Sequence, residues 1–286
     1  MSEHDNSQAT TATTDSRPET PLVWDRFQTV RRQLRAADGL LFGTDFDGTL
    51  SPIEEDPEAP EPTAENLRSL RTLRDHPQVR PAVISGRGLA DLRERVDVEG
   101  VDYIGNHGLE LGIDGRRETH PDAETAEPKI EAICETLGRR LADIEGTVVE
   151  NKGVTATIHY RMVDRDAVET VHDHVHEAVA ELGEDEVEIH DGKESLELRP
   201  AADWDKGSAI AQLQERVDGW QPLYIGDDTT DEAAFEEITP NGITVHVGDN
   251  HATVADYRVR SPAEAEVFIR WVATDGLALL AAAAEP

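Results

Sequence analysis

The sequence predicts a doubly wound α/β core built on parallel strands, with a smaller α+β module inserted into it. Three observations carry this expectation. Short apolar runs recur, each stopping at acidic or small polar residues and each followed by a helical stretch. The middle of the chain breaks that rhythm with strand-like alternation between two helices. The strand–helix rhythm then resumes towards the C-terminus. Short continuous apolar runs mark strands buried on both faces, as parallel strands are. Their alternation with helices places helices on both faces of one sheet. The expected organisation is a disordered leader at 1–20, a catalytic core of 21–115 and 201–286, and an inserted module at 116–200.

Residues 1–20 are rich in Ser, Thr, Asp and Glu without apolar periodicity, the composition of a disordered segment. Residues 23–36 have the spacing of an amphipathic helix. The apolar run 39–44 reads as a buried strand that stops at Asp45. A helix follows over 63–76, with Thr63 placed to cap it and Glu65 in its first turn. A second strand, 79–84, ends at Ser85-Gly86-Arg87. After a helix at 89–96, a third strand, 101–105, ends at Asn106-His107-Gly108.

In the middle, helices are expected at 127–144 and 164–182. Residues 147–161 alternate as a strand with a bulge or turn at Gly153, and 187–198 as a strand broken by a turn at Asp191-Gly192. Beyond 200 come a helix at 206–217, a strand at 222–226 ending at Asp227-Asp228, a helix at 231–237, a strand at 243–247 and a helix at 262–274. In open parallel sheets, sites form where strand C-terminal ends meet. Asp45, Ser85, His107 and Asp227 all directly follow expected strands, so one crevice should gather them.

The chain of 286 residues carries 60 Asp plus Glu against 27 Lys plus Arg, a formal charge of −33 spread along its length. Such a surface repels itself at low salt and is relieved by screening, which points to a halophilic protein. It argues against nucleic-acid binding, which needs cationic contacts to phosphate, and against adhesion to anionic membranes. Cys134 is the single cysteine, so neither an intrachain disulfide nor a thiolate metal cluster can form. The N-terminus has no signal-peptide pattern, and the apolar run 276–284 is too short to span a bilayer, so a cytoplasmic location is expected.

Two carboxylates two residues apart at a strand end, Asp45 and Asp47, can face one cation. Asp227, Asp228 and Asp231 supply more carboxylate from another strand end. Crowded acidic groups repel one another unless a cation sits between them. Hard oxygen ligands without Cys or paired His favour Mg²⁺. A carboxylate beyond the metal's direct grip can attack phosphorus. Lys206 and Arg87 are candidates to neutralise a transferring phosphoryl group. Ser85 and the amides around Gly86 are candidate donors to its oxygens.

Three features are set aside. His172 and His176 share a helix face but lack a third ligand, and read as a solvated face. Cys134 reads as buried packing. Trp204, just before Asp205-Lys206, could pack where module and core join, but Trp in such a place more often reads as plain core.

The motif DFDGTL at 45–50, Ser85, Lys206 and GDDTTDEAAF at 226–235 resemble motifs I to IV of the haloacid dehalogenase-like phosphatase superfamily. Within it the chain is similar to trehalose-6-phosphate phosphatases, through DFDGTLSPI, VISGR, NHGLE, VENKGVTATIHYR, GKESLELRP, DKGSA and IGDDTTDEAAF, in that order. Phe46 and Asn106 stand where Tyr and Ser are more usual. The resemblance implies Asp45 as nucleophile forming an aspartyl-phosphate, and Asp47 as general acid/base. It implies Mg²⁺ held by Asp45, the Asp47 main-chain carbonyl and Asp227, with Asp228 and Asp231 supporting. It further implies phosphate contacts from Ser85, Gly86, Arg87 and Lys206, and a C2-type cap at 116–200.

Lys193 and Glu197, four apart on one expected strand, then become candidate sugar contacts, with His107, Glu110 and Arg161. The implied substrate is trehalose 6-phosphate, and a trehalose-phosphate synthase is an implied partner. The alternatives are another sugar phosphate, such as sucrose phosphate, glucosylglycerol phosphate or mannosyl-phosphoglycerate, and a non-catalytic sugar-phosphate sensor. Intact Asp45, Asp47, Lys206 and Asp227 weigh against the sensor.

Overall fold

The computed structural model describes residues 19–53, 59–183, 185–249 and 252–283. Most of the expected leader, 1–18, lies outside the described residues. Residues 20–22 are tied down: Arg258 Nε donates to the Thr20 carbonyl at 2.9 Å, the Arg258 amide donates to Pro21, and Leu22 bridges to Arg258.

In chain order the elements are α1 (Phe27–Ala36), β1 (Leu40–Thr44), α2 (Ala64–Arg74), β2 (Val79–Ile84), α3 (Leu89–Val96) and β3 (Asp102–Gly105). Then come β4 (Glu110–Ile113), β5 (Arg116–Thr119), α4 (Pro121–Arg140), β6 (Val148–Asn151), β7 (Ala156–His159), α5 (Arg165–Leu182), β8 (Val187–Gly192) and β9 (Ser195–Pro200). The last are α6 (Lys206–Gln214), β10 (Gln221–Gly226), α7 (Glu232–Ile238), β11 (Ile243–Val247), β12 (Tyr257–Val259), α8 (Pro262–Trp271) and α9 (Leu277–Ala283). No helix among the described residues is long and apolar enough to cross a membrane.

Eight strands form one sheet in the order β12-β11-β10-β1-β2-β3-β4-β5, parallel from β12 to β3 and antiparallel over the last two. The chain leaves β1 towards β2 on one side and later returns to β10 on the other. The switch point of the sheet therefore lies between β1 and β10, where Leu40 pairs with Gln221 and Thr44 with Ile225.

The two faces of this sheet bury different cores. Leu40, Phe42, Leu223 and Ile225 pack with α1, α2 and α8 residues such as Leu34, Leu70 and Phe268. Leu41 and Tyr224 point the other way, against Ile210 and Leu213 of α6 and Phe235 of α7. The period of two thus persists inside a run that is apolar at every position. Helix starts follow their caps: Thr63 Oγ1 accepts from the Asn66 amide at 3.1 Å, and Asp205 Oδ1 from the Ser208 amide at 2.8 Å.

A second sheet, β6-β7-β9-β8, is antiparallel throughout. It packs on α4 and α5 through a separate core that includes Ile130, Leu137, Ile158, Val171, Val175 and Leu198. Cys134 is buried in this core, and burial pushes its thiol up to about 11.

Several details differ from the sequence expectation, among them strand β12 and helix α9, which it did not contain. Residues 23–26 form turns, so α1 starts at Phe27. Strands β4 and β5 add a hairpin to the large sheet, so residue 116 lies inside that sheet. Helix α4 begins at Pro121 rather than 127. The turn between β8 and β9 falls at Lys193-Glu194, not Asp191-Gly192. Gly192 is a strand residue paired with Ser195, and a Cβ there would lie 2.4 Å from Ser195 Oγ. Its missing side chain serves that close approach. The left-handed turn residue is Glu194, at φ 59°.

At the N-terminal ends of β2 and β3, Asp102 is buried and paired with Arg80 Nε at 2.6 Å, while Arg80 also binds Asp114 at 2.8 Å. Arg80→Met leaves the Asp102 carboxylate buried without its cation. The expected outcome is a loss of about 3 kcal/mol in stability, read as a lower urea midpoint with an unchanged slope.

Candidate active site

The C-terminal ends of β1, β2 and β10 build the site. Asp45 follows β1, and its amide donates to the Ile225 carbonyl of β10 at 2.8 Å, which fixes the Asp45 backbone against the neighbouring strand. Lys206, the first residue of α6, is 2 % exposed. Its Nζ donates to Asp45 Oδ1 and to Asp231 Oδ1, each at 2.7 Å. Asp231 is wholly buried and also accepts from Tyr224 Oη at 2.7 Å and from the Asp228 amide at 3.0 Å.

One oxygen each from Asp45, Asp227 and Asp231 lie within 4.8 Å of one another. Burial raises the Asp45 carboxyl well above the carboxylate range, against the pull of Lys206. Burial, with Asp231 beside it, pushes Asp227 up to about 7. The same two carboxylates, Asp231 and Asp45, hold the Lys206 ammonium far above its ordinary value despite burial. Three carboxylates thus face one ammonium. Such a set is short of positive charge and fits a hard divalent cation.

Glycines make room for this crowding. Gly48 has φ 74°, and a Cβ on it would lie 2.1 Å from Asp227 Oδ2. A Cβ on Gly226 would lie 2.3 Å from the Asp231 carboxyl carbon.

Asp47 and Arg87 form the second cluster. Arg87 Nε and its terminal nitrogen donate to the two Asp47 oxygens, both at 2.8 Å, in a bidentate fork. Arg87 also reaches Asp91 at 3.1 Å and lies 5.3 Å over the Phe46 ring. In the structure its guanidinium is engaged by these carboxylates. The burial of Phe46 and the stacked cation explain why an aromatic without a hydroxyl suffices there. Ser85 is buried, and its Oγ accepts from the Arg87 amide at 3.2 Å. Gly86 lies against the His107 ring, where a Cβ would meet Cε1 at 2.5 Å.

A third cluster joins the two sheets. His107, at φ 58°, follows β3, and its Nε2 lies 3.4 Å from Glu197 Oε2 of β9 and 3.1 Å from the Arg199 guanidinium. Burial pushes His107 down to about 4, while His107 and Arg199 hold the Glu197 carboxyl far below its usual range against its own burial. Thr155 Oγ1 donates to Asn106 Oδ1 at 2.6 Å, and Lys152 Nζ reaches the Gly86 carbonyl at 3.5 Å. Trp204 Nε1 donates to the Gly108 carbonyl at 2.8 Å, so it does pack beside the join.

The structure brings Asp45, Lys206 and Asp227 together, pairs Asp47 with Arg87, and unites His107 with Glu197. Other expected residues stand elsewhere. Asp228 is exposed, and its Oδ1 accepts from the Thr229 amide at 2.7 Å, capping the short turn 229–231; the third carboxylate of the cluster is Asp231. Glu110 is buried, and its Oε2 accepts from the Leu89 amide at 3.0 Å and Asn106 Nδ2 at 2.7 Å, while Arg117 takes the other oxygen. It ties the start of α3 and the turn after β3 to β4 and β5.

Lys193 lies exposed in the β8–β9 turn, so it does not share a strand face with Glu197. Arg161 donates to Glu194 of the same turn at 3.0 Å. Arg199 and Lys152 were missed. Arg199 stands at the even spacing of two from Glu197, and that spacing was the available signal.

Comparison with known proteins agrees with this geometry. Residues 43–265 match the Trehalose-phosphatase family model. The trehalose-phosphate phosphatase of Mycobacterium marinum is 38% identical over 234 residues, which cover 78% of this chain and 59% of that protein. The chain therefore spans about three-fifths of the length of that relative. The C-terminal domain of the Candida albicans trehalose-6-phosphate phosphatase superposes with a TM-score of 0.71 at 26% identity, covering 92% of this chain and 98% of that one. A haloacid dehalogenase-like hydrolase from Bacteroides thetaiotaomicron shares the fold, with a TM-score of 0.55 at 18% identity, covering 82% and 99%. The match at 43–265 takes in every element of the clusters above, and the chain belongs to the trehalose-phosphatase family.

Proposed function

We propose that this chain is a phosphatase that hydrolyses trehalose 6-phosphate to trehalose and phosphate through an aspartyl-phosphate on Asp45. One observation carries the reading: Lys206 pins Asp45 Oδ1, and among the described residues nothing donates to Oδ2. A carboxylate held at one oxygen and unengaged at the other is a nucleophile with a fixed line of attack.

In this reading Asp45 Oδ2 forms the bond to phosphorus as the ester oxygen leaves. Asp47 gives that oxygen its proton, then takes a proton from the water that attacks the aspartyl-phosphate. To do so it exchanges its Arg87 fork for the substrate. Lys206 offsets the charge on the phosphoryl oxygens, and Ser85 and the Gly86 turn donate to them. Asp45, Asp227 and the Asp47 main-chain carbonyl would hold Mg²⁺, which when bound neutralises the phosphoryl group. The second sheet with α4 and α5, residues 121–200, acts as the cap that excludes water and reads the sugar, with Glu197 and His107 at its contact with the core. A sugar phosphate, being an intracellular metabolite, fits a cytoplasmic enzyme.

Asp45→Asn is expected to lower phosphate release from trehalose 6-phosphate by about 10⁴-fold while leaving the circular dichroism spectrum intact. Wild-type turnover run beside sucrose phosphate and glucosylglycerol phosphate assigns the sugar. Preference for another sugar phosphate would overturn the substrate, and substantial turnover by Asp45→Asn the mechanism.

The folded pKa of Asp227, about 7, lies above its ordinary value of 3.8. Between those pH values the folded state holds the extra proton, so without metal this group costs stability as pH rises through the window. Divalent metal binds the ionised carboxylates. The gain in Tm from Mg²⁺ is therefore expected to grow from about pH 5 to about pH 8. A gain independent of pH would contradict the assigned ligands.

A net charge of −33 supports adaptation to high salt. Thermal unfolding in about 0.1 M and about 2 M KCl is expected to show a higher Tm in the concentrated salt.

A further inference from the structure

Glu197 and Arg199 occupy alternate positions of β9 and so share one face, opposite the buried Leu196 and Leu198. That face meets His107. Arg199 Nε donates to Glu197 Oε2 at 2.9 Å, and its terminal nitrogen donates to the same oxygen and lies 3.1 Å from His107 Nε2. Glu197 Oε1 has no partner among the described residues.

These contacts fix where the His107 proton sits. A guanidinium has donors only and is never deprotonated in a protein. A ring nitrogen that accepts from it cannot carry a proton of its own. The rival contact, His107 Nε2 to Glu197 Oε2 at 3.4 Å, is longer than a normal N–H···O hydrogen bond. Nδ1 is buried without a partner and stays unsatisfied in either tautomer, so the contacts that bear on the choice are those at Nε2. Burial pushes the ring down to about 4, so near neutral pH it carries one proton. The buried ring lies against Gly86, where a Cβ would meet Cε1 at 2.5 Å.

We infer that Arg199 is a positioning residue for sugar recognition: it holds His107 as the Nδ1–H tautomer and pins Glu197 by Oε2, leaving Oε1 to accept from a substrate hydroxyl. The sugar part rests on the proposed phosphatase reading; the tautomer part does not. Without Arg199, Glu197 would turn to His107 as its nearest donor, and the oxygen reserved for the sugar would be spent on the protein.

Two measurements test this on the full chain. Long-range ¹H–¹⁵N correlation spectra of [¹⁵N]histidine-labelled protein distinguish the tautomers. His107 is expected as Nδ1–H in the wild type and shifted to Nε2–H in Arg199→Met. Nε2–H in the wild type overturns the inference, whatever the substrate and whether or not the variant folds.

In kinetics, Arg199→Met is expected to raise KM for trehalose 6-phosphate about tenfold, the scale of one lost charge-assisted hydrogen bond, and KM for p-nitrophenyl phosphate by less than about twofold. Arg199→Lys, which keeps the charge but not the fork, should recover part of the loss. Equal KM increases on both substrates overturn the positioning role. Should the wild type prefer another sugar phosphate, the same comparison applies to that ester. The substrate assignment then fails while the role of Arg199 is still decided.

Discussion

The Lys206 ammonium is the interaction on which the site depends. It is buried, it bonds Asp45 and Asp231 at equal distance, and it is the one cation in contact with these carboxylates among the described residues. Burial and crowding drive these carboxylates towards protonation, a protonated Asp45 is no nucleophile, and Lys206 is the side chain that pulls Asp45 the other way. Lys206 in turn sits there because Asp205 caps α6 at the C-terminal side of the sheet, and because Gly207 lets α6 approach the Ala233 carbonyl of α7. A Cβ at 207 would lie 2.6 Å from that carbonyl, so the placement of the ammonium traces back to a missing methyl group one residue on. Asp231 completes the support with bonds from Tyr224 and the Asp228 amide, which leaves its role one of holding Lys206 more than of binding substrate.

Around that centre the two sheets meet through polar contacts and one small apolar cluster of Leu109, Ala123 and Val154, against which Trp204 packs. Each sheet has its own buried cluster. Between them stand Thr155 to Asn106, Lys152 to Gly86, and the Glu197–Arg199–His107 set. Polar contacts exchange readily with water and ligand at small net cost, whereas separating packed apolar surface does not. A junction made largely of polar contacts suits the proposed cap, which would open for substrate and close for chemistry.

Much of this was legible in the sequence because local rules and global fold agree. Apolar runs ending in Asp or Ser mark strand ends at one edge of a parallel sheet, and the sheet brings Asp45, Asp227 and Lys206 together as expected. Other features were readable but passed over. Asp114-Gly115, both at positive φ, is a strong two-residue hairpin signal and marks the β4–β5 addition. At 191–194 the signal misled: Gly192 looks like a turn residue but serves a close strand contact, and Glu194 takes the left-handed position instead. That one misplaced turn put Lys193 and Glu197 on a common face. The commitment of Glu110 to Leu89 and Asn106, and of Arg87 to Asp47, had no sequence signal, because each depends on residues brought close only by the tertiary fold.

Under the proposed function, a chain of net charge −33 must bind a phosphate monoester and faces a conflict between long-range and local fields. At a distance the anionic substrate is repelled, and the on-rate suffers most at low ionic strength. Near the reacting atoms, Lys206 and Arg87 stand among the carboxylates of Asp45, Asp231 and Asp47, so local attraction depends on these cations and on the divalent ion the cluster would hold. Salt resolves the conflict because it acts on the two ranges differently. At molar concentration the screening length is about 3 Å, so the repulsive surface is silenced before the substrate arrives. Lys206, buried at 2.7 Å from its partners, lies inside that length and away from the ions, and keeps its strength. An acidic exterior is therefore compatible with an anion-binding crevice provided the cations in it are buried, and the burial of Lys206 meets that condition.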